Sequence, residues 1–455
     1  MTNRTPLSVL WMLVTTVVLI ARVFGQGIQP YPNAVTNRLI IPKTPMLPPP
    51  TNVVFADPDF GELMVRATDA TTNFKRPGTF LQSEASGEAN EWNMDSTKFY
   101  VLGKGGWVFV FAFDPSTMAI SSLPNADPGK GLQVPLRPGP TFSFSDPDLI
   151  YGTKSTDPLT ITSYRFSTGV STPVIDTRTC GVEPPLGPSV VSDDDVSLSA
   201  GDRRISISEG GAQSGSHMFV VVYDQSLGCR WYNTQTGEIG GQWGPSGSAT
   251  ISSSYLIRHA YLARNGGYVR ILTDVGVWFE WNLSTLNVTE CIIHADNECN
   301  GYGVQGYNTF INAPGVLDDV QVVKRPLNDL SQVTQLVYPL PSPAEWGQVQ
   351  HFTWSNVDVN DSTPVCSSKY SYDDDPIDQP FAGEILCIET DELASTVWRF
   401  AHNRATYIWG FFHTQPLGDV SLDGKFFLFS SDWDAQLRTG TDGTPRSDVF
   451  IVKLD

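Results

Sequence analysis

From Val53 onward the apolar residues fall into short runs, some alternating and some continuous, that are separated by Gly, Asp, Asn and Pro. No stretch sustains the 3.6-residue period of a surface helix, so the pattern predicts strands and tight turns throughout. The clearest instance is Asp419-Val-Ser-Leu-Asp-Gly-Lys-Phe-Phe-Leu-Phe-Ser-Ser-Asp-Trp433, a short strand, an Asp-Gly turn and a second, apolar strand. Looser copies lie upstream. Trp92 to Leu102 and Trp107 to Phe113 suit adjacent strands across Gly105-Gly106, Val196-Ser-Leu-Ser199 alternates before Phe219 to Tyr223, and Arg264 to Ile271 leads into Val277 to Trp281.

Units opening near Asn90, Thr141, Asp194, Arg258, Gly301, Gln350 and Gln415 are spaced about 45 to 65 residues apart, as four-stranded blades with variable loops would be. The chain therefore reads as all-β, a seven-bladed β-propeller in one domain over residues 53–455. Phe60 to Thr68 is a lone strand with no opening partner, and Asp448 to Leu454 ends the last unit. A ring of sheets has a use for that lone strand: it completes the last blade and removes two free edges.

The N-terminal region is different. Arg4 precedes an apolar run from Leu7 to Ala21, followed by Val23-Phe24-Gly25 with small residues at the recognition positions. This predicts a signal peptide over residues 1–25, cleaved before Gln26, and a secreted or periplasmic protein. No later stretch is apolar for long enough to span a membrane as a helix. Residues 26–52 end in Met46-Leu-Pro-Pro-Pro50 and form a Pro-rich extended arm.

Removing residues 1–25 also removes Arg4 and Arg22, which leaves 27 basic against 48 acidic residues and moves the formal charge from -19 to -21. Such acidity argues against nucleic acid as a partner. Six cysteines are even in number and sparse, which suits a few disulfides on an oxidising route. The expected pairing is Cys180 with Cys229, Cys291 with Cys299 and Cys366 with Cys387, one of several connectivities. Sequons at Asn282, Asn287 and Asn360 mark exposed loops.

The Ser-x-Asp-Gly-Lys-Phe-x-x-Phe-x-Ser pattern at 421–431 resembles the repeat of TolB-type and WD-like β-propellers, and residues 53–455 as a whole resemble secreted bacterial seven-bladed propellers. There is a more distant similarity to oligogalacturonate lyases, propellers that implicate a His-rich, metal-dependent site just before such a strand. The corresponding stretch here, His413-Thr-Gln-Pro-Leu-Gly-Asp419, has one histidine where that family has a tighter His and Gln cluster.

The innermost strand of each blade runs along the channel, so side chains at its entry converge. Alignment of the strand openings puts Asp195, His259 and His351 at equivalent positions in three blades, with Arg258 and Asp194 beside them. His and Asp together are suited to acid–base chemistry or to a divalent cation; the same histidines also suit inter-blade hydrogen bonds, as does His402. Glu91, His413, Gln415 and Asp419 lie near the same strand ends, and Trp346, like Trp231, Trp243 and Trp409, sits in a turn-rich segment where an indole can face a sugar ring. The acidic runs at 193–195 and 373–378 lack the glycine-punctuated spacing of a calcium loop. No Gly-x-Ser-x-Gly, phosphate-binding loop or His-Glu-x-x-His is present. The expectation is a monomeric binder of carbohydrate or another cell-surface polymer, with a divalent cation as the one cofactor these residues suggest. A polysaccharide lyase or hydrolase using His259, His351, Asp195 and Arg258, and a protein-interaction scaffold, stand as alternatives.

Overall fold

The computed structural model describes residues 30–84, 88–181, 191–211, 216–251, 254–291, 303–313, 322–337, 351–369, 380–390, 396–406, 408 and 410–455; side chains are described at all of these except 191–195 and 211. The expected signal segment, Cys299, Trp346, Trp409 and the acidic run at 373–378 lie outside these residues. Seven antiparallel sheets follow one another along the chain. Blade 1 is built on Leu81–Gln82, Lys98–Gly103, Trp107–Asp114 and Ala119–Ser122; blade 2 runs from Thr141–Phe142 to Val170–Asp176, and blade 3 from Val191–Leu198 to Gly247–Ser248. Blade 4 spans Ile257–Leu262 to Val288–Glu290, blade 5 spans Val304–Gln305 to Thr334–Gln335, and blade 6 spans Phe352–Thr353 to Val397–His402. This is the expected seven-bladed β-propeller.

Blade 7 closes the ring. Gly418–Val420, Phe426–Ser431 and Asp448–Lys453 form its inner three strands, and Leu63–Arg66 pairs antiparallel with the last of them, Val65 opposite Ile451. A further short strand, Val54–Ala56, covers the outer edge. Strand pairing between the two ends leaves neither of them as an open template. Arg66 reinforces the closure by bonding to Asp448 on the partner strand and to the carbonyl of Pro49 at 3.0 Å. The Asp-Gly turn forms as its residues require, with Gly424 at φ +71°, a region that strains any residue with a Cβ.

The alternating strands place their large side chains between blades. Trp92, Phe99, Phe111 and Phe113 of blade 1 pack with Phe426 and Leu428 of blade 7 in one buried cluster. Two departures from the sequence reading concern blades 1 and 3. Blade 1 begins at Leu81, upstream of the expected opening, because its inner edge pairs in two places, Leu81–Gln82 with Leu102 and Gly103 and then Trp92 with Phe99. Blade 3 has six strands, and its first strand opens at Val191, before the expected Asp194, so that it takes in the acidic run at 193–195.

The Pro-rich arm is strapped to the ring. Val35 bridges to Arg399 on the outer strand of blade 6, and the Arg399 guanidinium donates to the carbonyls of Asn37 and Leu39 at 2.7 and 2.8 Å. The same guanidinium holds Glu384 through two bonds of 2.7 and 2.6 Å, with both side chains fully buried.

Disulfides join Cys180 to Cys229 and Cys366 to Cys387. Cys291 is also disulfide-bonded, with its partner outside the described residues. Cys366 and Cys387 face each other across adjacent strands of blade 6, with Cα atoms 4.0 Å apart. Replacing both by alanine is expected to lower stability by about 3 kcal/mol, from the entropy regained by the unfolded loop, as a shift in the urea midpoint relative to the oxidised wild type. An unchanged midpoint would show that this bridge is dispensable.

Candidate functional site

The channel gathers its polar groups at the inner strands. Glu91 of blade 1 and Asp419 of blade 7 each sit two residues before the first residue of a turn, Asn93 and Ser421, whose backbone N–H closes that turn. The two-residue period of a strand then sends Trp92 and Val420 into inter-blade clusters and the two carboxylates to the channel side. Both acids are 1% exposed. Asp419 accepts from the Glu91 backbone N–H at 2.7 Å, from the Thr353 hydroxyl of blade 6, and from the Ser355 hydroxyl at 3.3 Å. Glu91 Oε1 accepts from the Glu84 N–H at 2.9 Å, whereas Oε2 has no hydrogen-bond partner.

Ser83 and Glu88, upstream of Glu91, reach other blades. The Ser83 N–H donates to Ser430 of blade 7 at 2.8 Å, and Glu88 Oε1 accepts from the Gln305 N–H of blade 5 at 2.6 Å. Arg264, in the first turn of blade 4, donates to the carbonyl of Glu88 at 3.1 Å and to that of Leu198 in blade 3 at 3.2 Å. Its guanidinium also lies 3.7 Å from the Glu88 carboxylate and 4.7 Å from the Phe144 ring of blade 2. Ser83 and Glu88 of blade 1 thus bond to blades 7, 4 and 5, and Arg264 extends the network to blade 3. Glu88, Arg264 and Gln305 are all buried.

Burial dominates the protonation of this cluster. It raises Asp419 to about 7 against the hydrogen bonds that favour its anion, and it raises Glu91 well above the usual carboxylate range, with the neighbouring Asp419 charge adding to the effect. Two such acids have the composition of an acid–base pair, but here they are enclosed in protein.

These shifts fix a sign for the pH dependence of stability. The folded chain binds protons more tightly than the unfolded chain between about pH 4 and 7, so this contribution is fully present below the unfolded pKa and is lost as pH rises through about 7. Glu209, raised to about 7, and Asp432, raised to about 6, act in the same direction, both through burial. His402, lowered to about 4 by burial, acts in the opposite direction, costing stability as pH falls from its unfolded value toward 4. Urea unfolding is therefore expected to give a higher midpoint at pH 5.5 than at pH 8, with a smaller difference in Asp419→Asn. A midpoint that rises with pH would contradict this balance.

The other candidates are dispersed. His259 and His351 hold the same register, two residues upstream of the channel-facing positions Tyr261 and Thr353, but blade 5 lies between their blades. Both are half-buried, as is Arg258. His259 stacks on Tyr261 at 5.7 Å with the rings 11° apart, and the His351 carbonyl accepts from Ser367 at 2.9 Å. Asp194 and Asp195 lie in the first strand of blade 3, among the residues whose side chains are not described.

His413 packs away from these groups. Its ring lies flat on Phe80 of the adjoining segment, centroids 3.9 Å apart, and its Nε2 donates to the Pro445 carbonyl at 2.8 Å. Gln415 is buried beside it, at the end of the same short helical turn. His402 stacks edge-on with Phe60 at 5.1 Å and joins blade 6 to the segment entering the closing strand. Trp231 and Trp243 pack within blade 3, Trp243 donating to the Gly228 carbonyl at 2.9 Å. Among the described residues no three His, Cys, Asp or Glu side chains converge as a metal site requires. Glu88 and Arg264, which join blades 1, 3, 4 and 5, were not singled out by sequence: Arg264-Asn-Gly-Gly has the composition of an exposed turn.

No protein-family model matches the chain, and no curated protein is similar to it. Solved structures do share its fold. The oligogalacturonate lyase of Vibrio parahaemolyticus superposes with a TM-score of 0.56 at 12% identity, over 88% of this chain and 96% of that one. An oligogalacturonate lyase in complex with manganese superposes with a TM-score of 0.51 at 13% identity, over 93% and 98%. At such identities the likeness is one of fold, and it spans nearly the whole of each chain.

Proposed function

We propose that the protein binds an extracellular carbohydrate or another surface polymer at the strand-entry mouth of its channel, without cleaving it. The observation that carries this reading is the separation of the titratable groups: His259 and His351 stand on blades parted by blade 5, and the Glu91–Asp419 pair is enclosed. A polymer cannot bring a bond to acids that are buried and hydrogen-bonded into the ring, so the pair is assigned to holding blades. What remains partly open at the strand entries is Arg258, His259 and His351. Arg258 supplies a cation for an acidic sugar, and the half-buried His259 ring, backed by the buried Tyr261 ring, offers a flat edge to a pyranose. The disulfides are compatible with an oxidising, extracellular or periplasmic compartment.

Affinity electrophoresis of the purified protein in gels carrying polygalacturonate, alginate or a neutral glucan tests the assignment. Retardation by at least one polymer is expected, and Arg258→Ala and His259→Ala should each weaken it by about tenfold, or roughly 1.4 kcal/mol. Retardation by none of the polymers, or retardation indifferent to both substitutions, would remove the mouth as the binding surface.

A further inference from the structure

A hollow of about 470 Å³ opens on the rim between blades 4 and 5, away from the channel. Blade 4 contributes Tyr268, Glu280, Asn282 and Thr289 to its wall, and blade 5 contributes Arg325 and Asn328. Glu280 stands on the strand Trp278–Asn282, between Arg270 and Thr289 on the neighbouring strands. It is only 4% exposed, and its Oε2 has no hydrogen-bond partner. A buried carboxyl oxygen left without a partner is unusual in a folded protein. The Glu280 side chain forms part of the wall of an open hollow, where a ligand that displaces the atoms covering this oxygen can satisfy it.

The floor beneath Glu280 is rigid. Arg270 lies between Trp278 and Phe310, its guanidinium carbon 3.5 and 3.2 Å from the two ring centroids. The space around it, about 10 Å³, admits nothing larger than a water molecule. Arg270 is therefore part of the foundation and not a ligand contact. Arg325, with one nitrogen donating to the Leu330 carbonyl at 2.7 Å, is held in place in the same way.

The chemistry of the walls selects the ligand. Glu290 and the half-buried Asp329 line the hollow and oppose an anion, while Arg325 in the wall and Arg270 beneath it oppose a cation. Burial, opposed by the nearby Arg270 charge, raises the Glu280 carboxyl well above the usual carboxylate range, which favours the neutral form that can donate as well as accept. Asn282, Asn328 and Thr289 supply further donors and acceptors, and Leu327, Leu330 and Tyr268 offer apolar surface. A ring with hydroxyls on its edge and C–H groups on its face meets all of these demands. We propose that this rim hollow binds one neutral sugar residue, with Glu280 exchanging hydrogen bonds with its hydroxyls, at a site separate from the channel mouth.

Saturation-transfer NMR with D-glucose, D-galactose and N-acetyl-D-glucosamine, on protein made in bacteria so that Asn282 and Asn287 carry no glycan, tests the proposal. At least one sugar should bind saturably. Binding should weaken by about tenfold or more in Glu280→Leu and in Asn328→Trp, and be unchanged in Asp127→Ala, an exposed position on blade 1. Asn328 is exposed, so its variant decides the matter even if Glu280→Leu does not fold. Absence of saturable binding up to roughly 50 mM, or loss of binding in Arg258→Ala but not in Asn328→Trp, overturns the rim site. Displacement of the sugar by acetate or ethylammonium at equal concentration overturns the ligand class.

Discussion

Asp419→Ala is expected to lower the stability of the ring by about 3–5 kcal/mol, because three buried donors lose their acceptor at once, at about 1–3 kcal/mol for each unsatisfied group. The donors are the Glu91 N–H and the hydroxyls of Thr353 and Ser355, so blades 1 and 6 both lose their bonds to blade 7. The loss of repulsion between Asp419 and Glu91 offsets a part of this, which keeps the expected value below the sum of three full penalties. Asp419→Asn keeps the shape and one accepting oxygen, and should cost roughly a third as much. Urea unfolding followed by tryptophan fluorescence separates the two. An Asp419→Ala protein within 1 kcal/mol of wild type, a scale set by an ordinary surface substitution, would show that the pair does not hold the blades.

Arg399→Ala carries a comparable cost at the opposite edge of the ring. It leaves the Glu384 carboxylate buried without its bidentate partner, at about 3–5 kcal/mol for a broken buried pair. It also removes the donors that hold the carbonyls of Asn37 and Leu39. The arm should then come away from blade 6, and trypsin should cut after Arg38 and Lys43 at low protease concentrations that leave the wild-type arm intact. Glu384→Gln separates the two effects: it neutralises the buried acid but keeps the contacts from Arg399 to the arm. Trypsin resistance of the arm in Arg399→Ala would show that its other anchors suffice, among them the Trp433 N–H bond to the Met46 carbonyl at 3.0 Å.

The fold was legible because its signals are local. An Asp-Gly turn between apolar strands needs only a few consecutive residues, and the strand around Leu63–Arg66 stands out as one outside the seven units, although it is not lone as expected: Val54–Ala56 just before it pairs with it. The site was less legible because its decisive contacts join distant residues. Asp419 and Glu91 are separated by 328 positions, and either alone reads as a charged residue near a strand end. Arg264 belongs to a turn that looks solvated, yet its guanidinium is buried against Glu88, 176 positions away. The flat stack of His413 on Phe80 likewise depends on the ring having closed. Strand periodicity reports which face a residue occupies, and it is silent on what another blade brings to that face.

The blade-to-blade role of the channel carboxylates, with recognition but no cleavage at the mouth, is tested most directly by titrating oligogalacturonides into the protein in one cell that records heat and ultraviolet absorbance together. Saturable heat with a flat absorbance trace, with and without added manganese or calcium, is the predicted result. A rise in the absorbance of an unsaturated product, lost in His259→Ala and His351→Ala, would contradict it and make the mouth a catalytic centre.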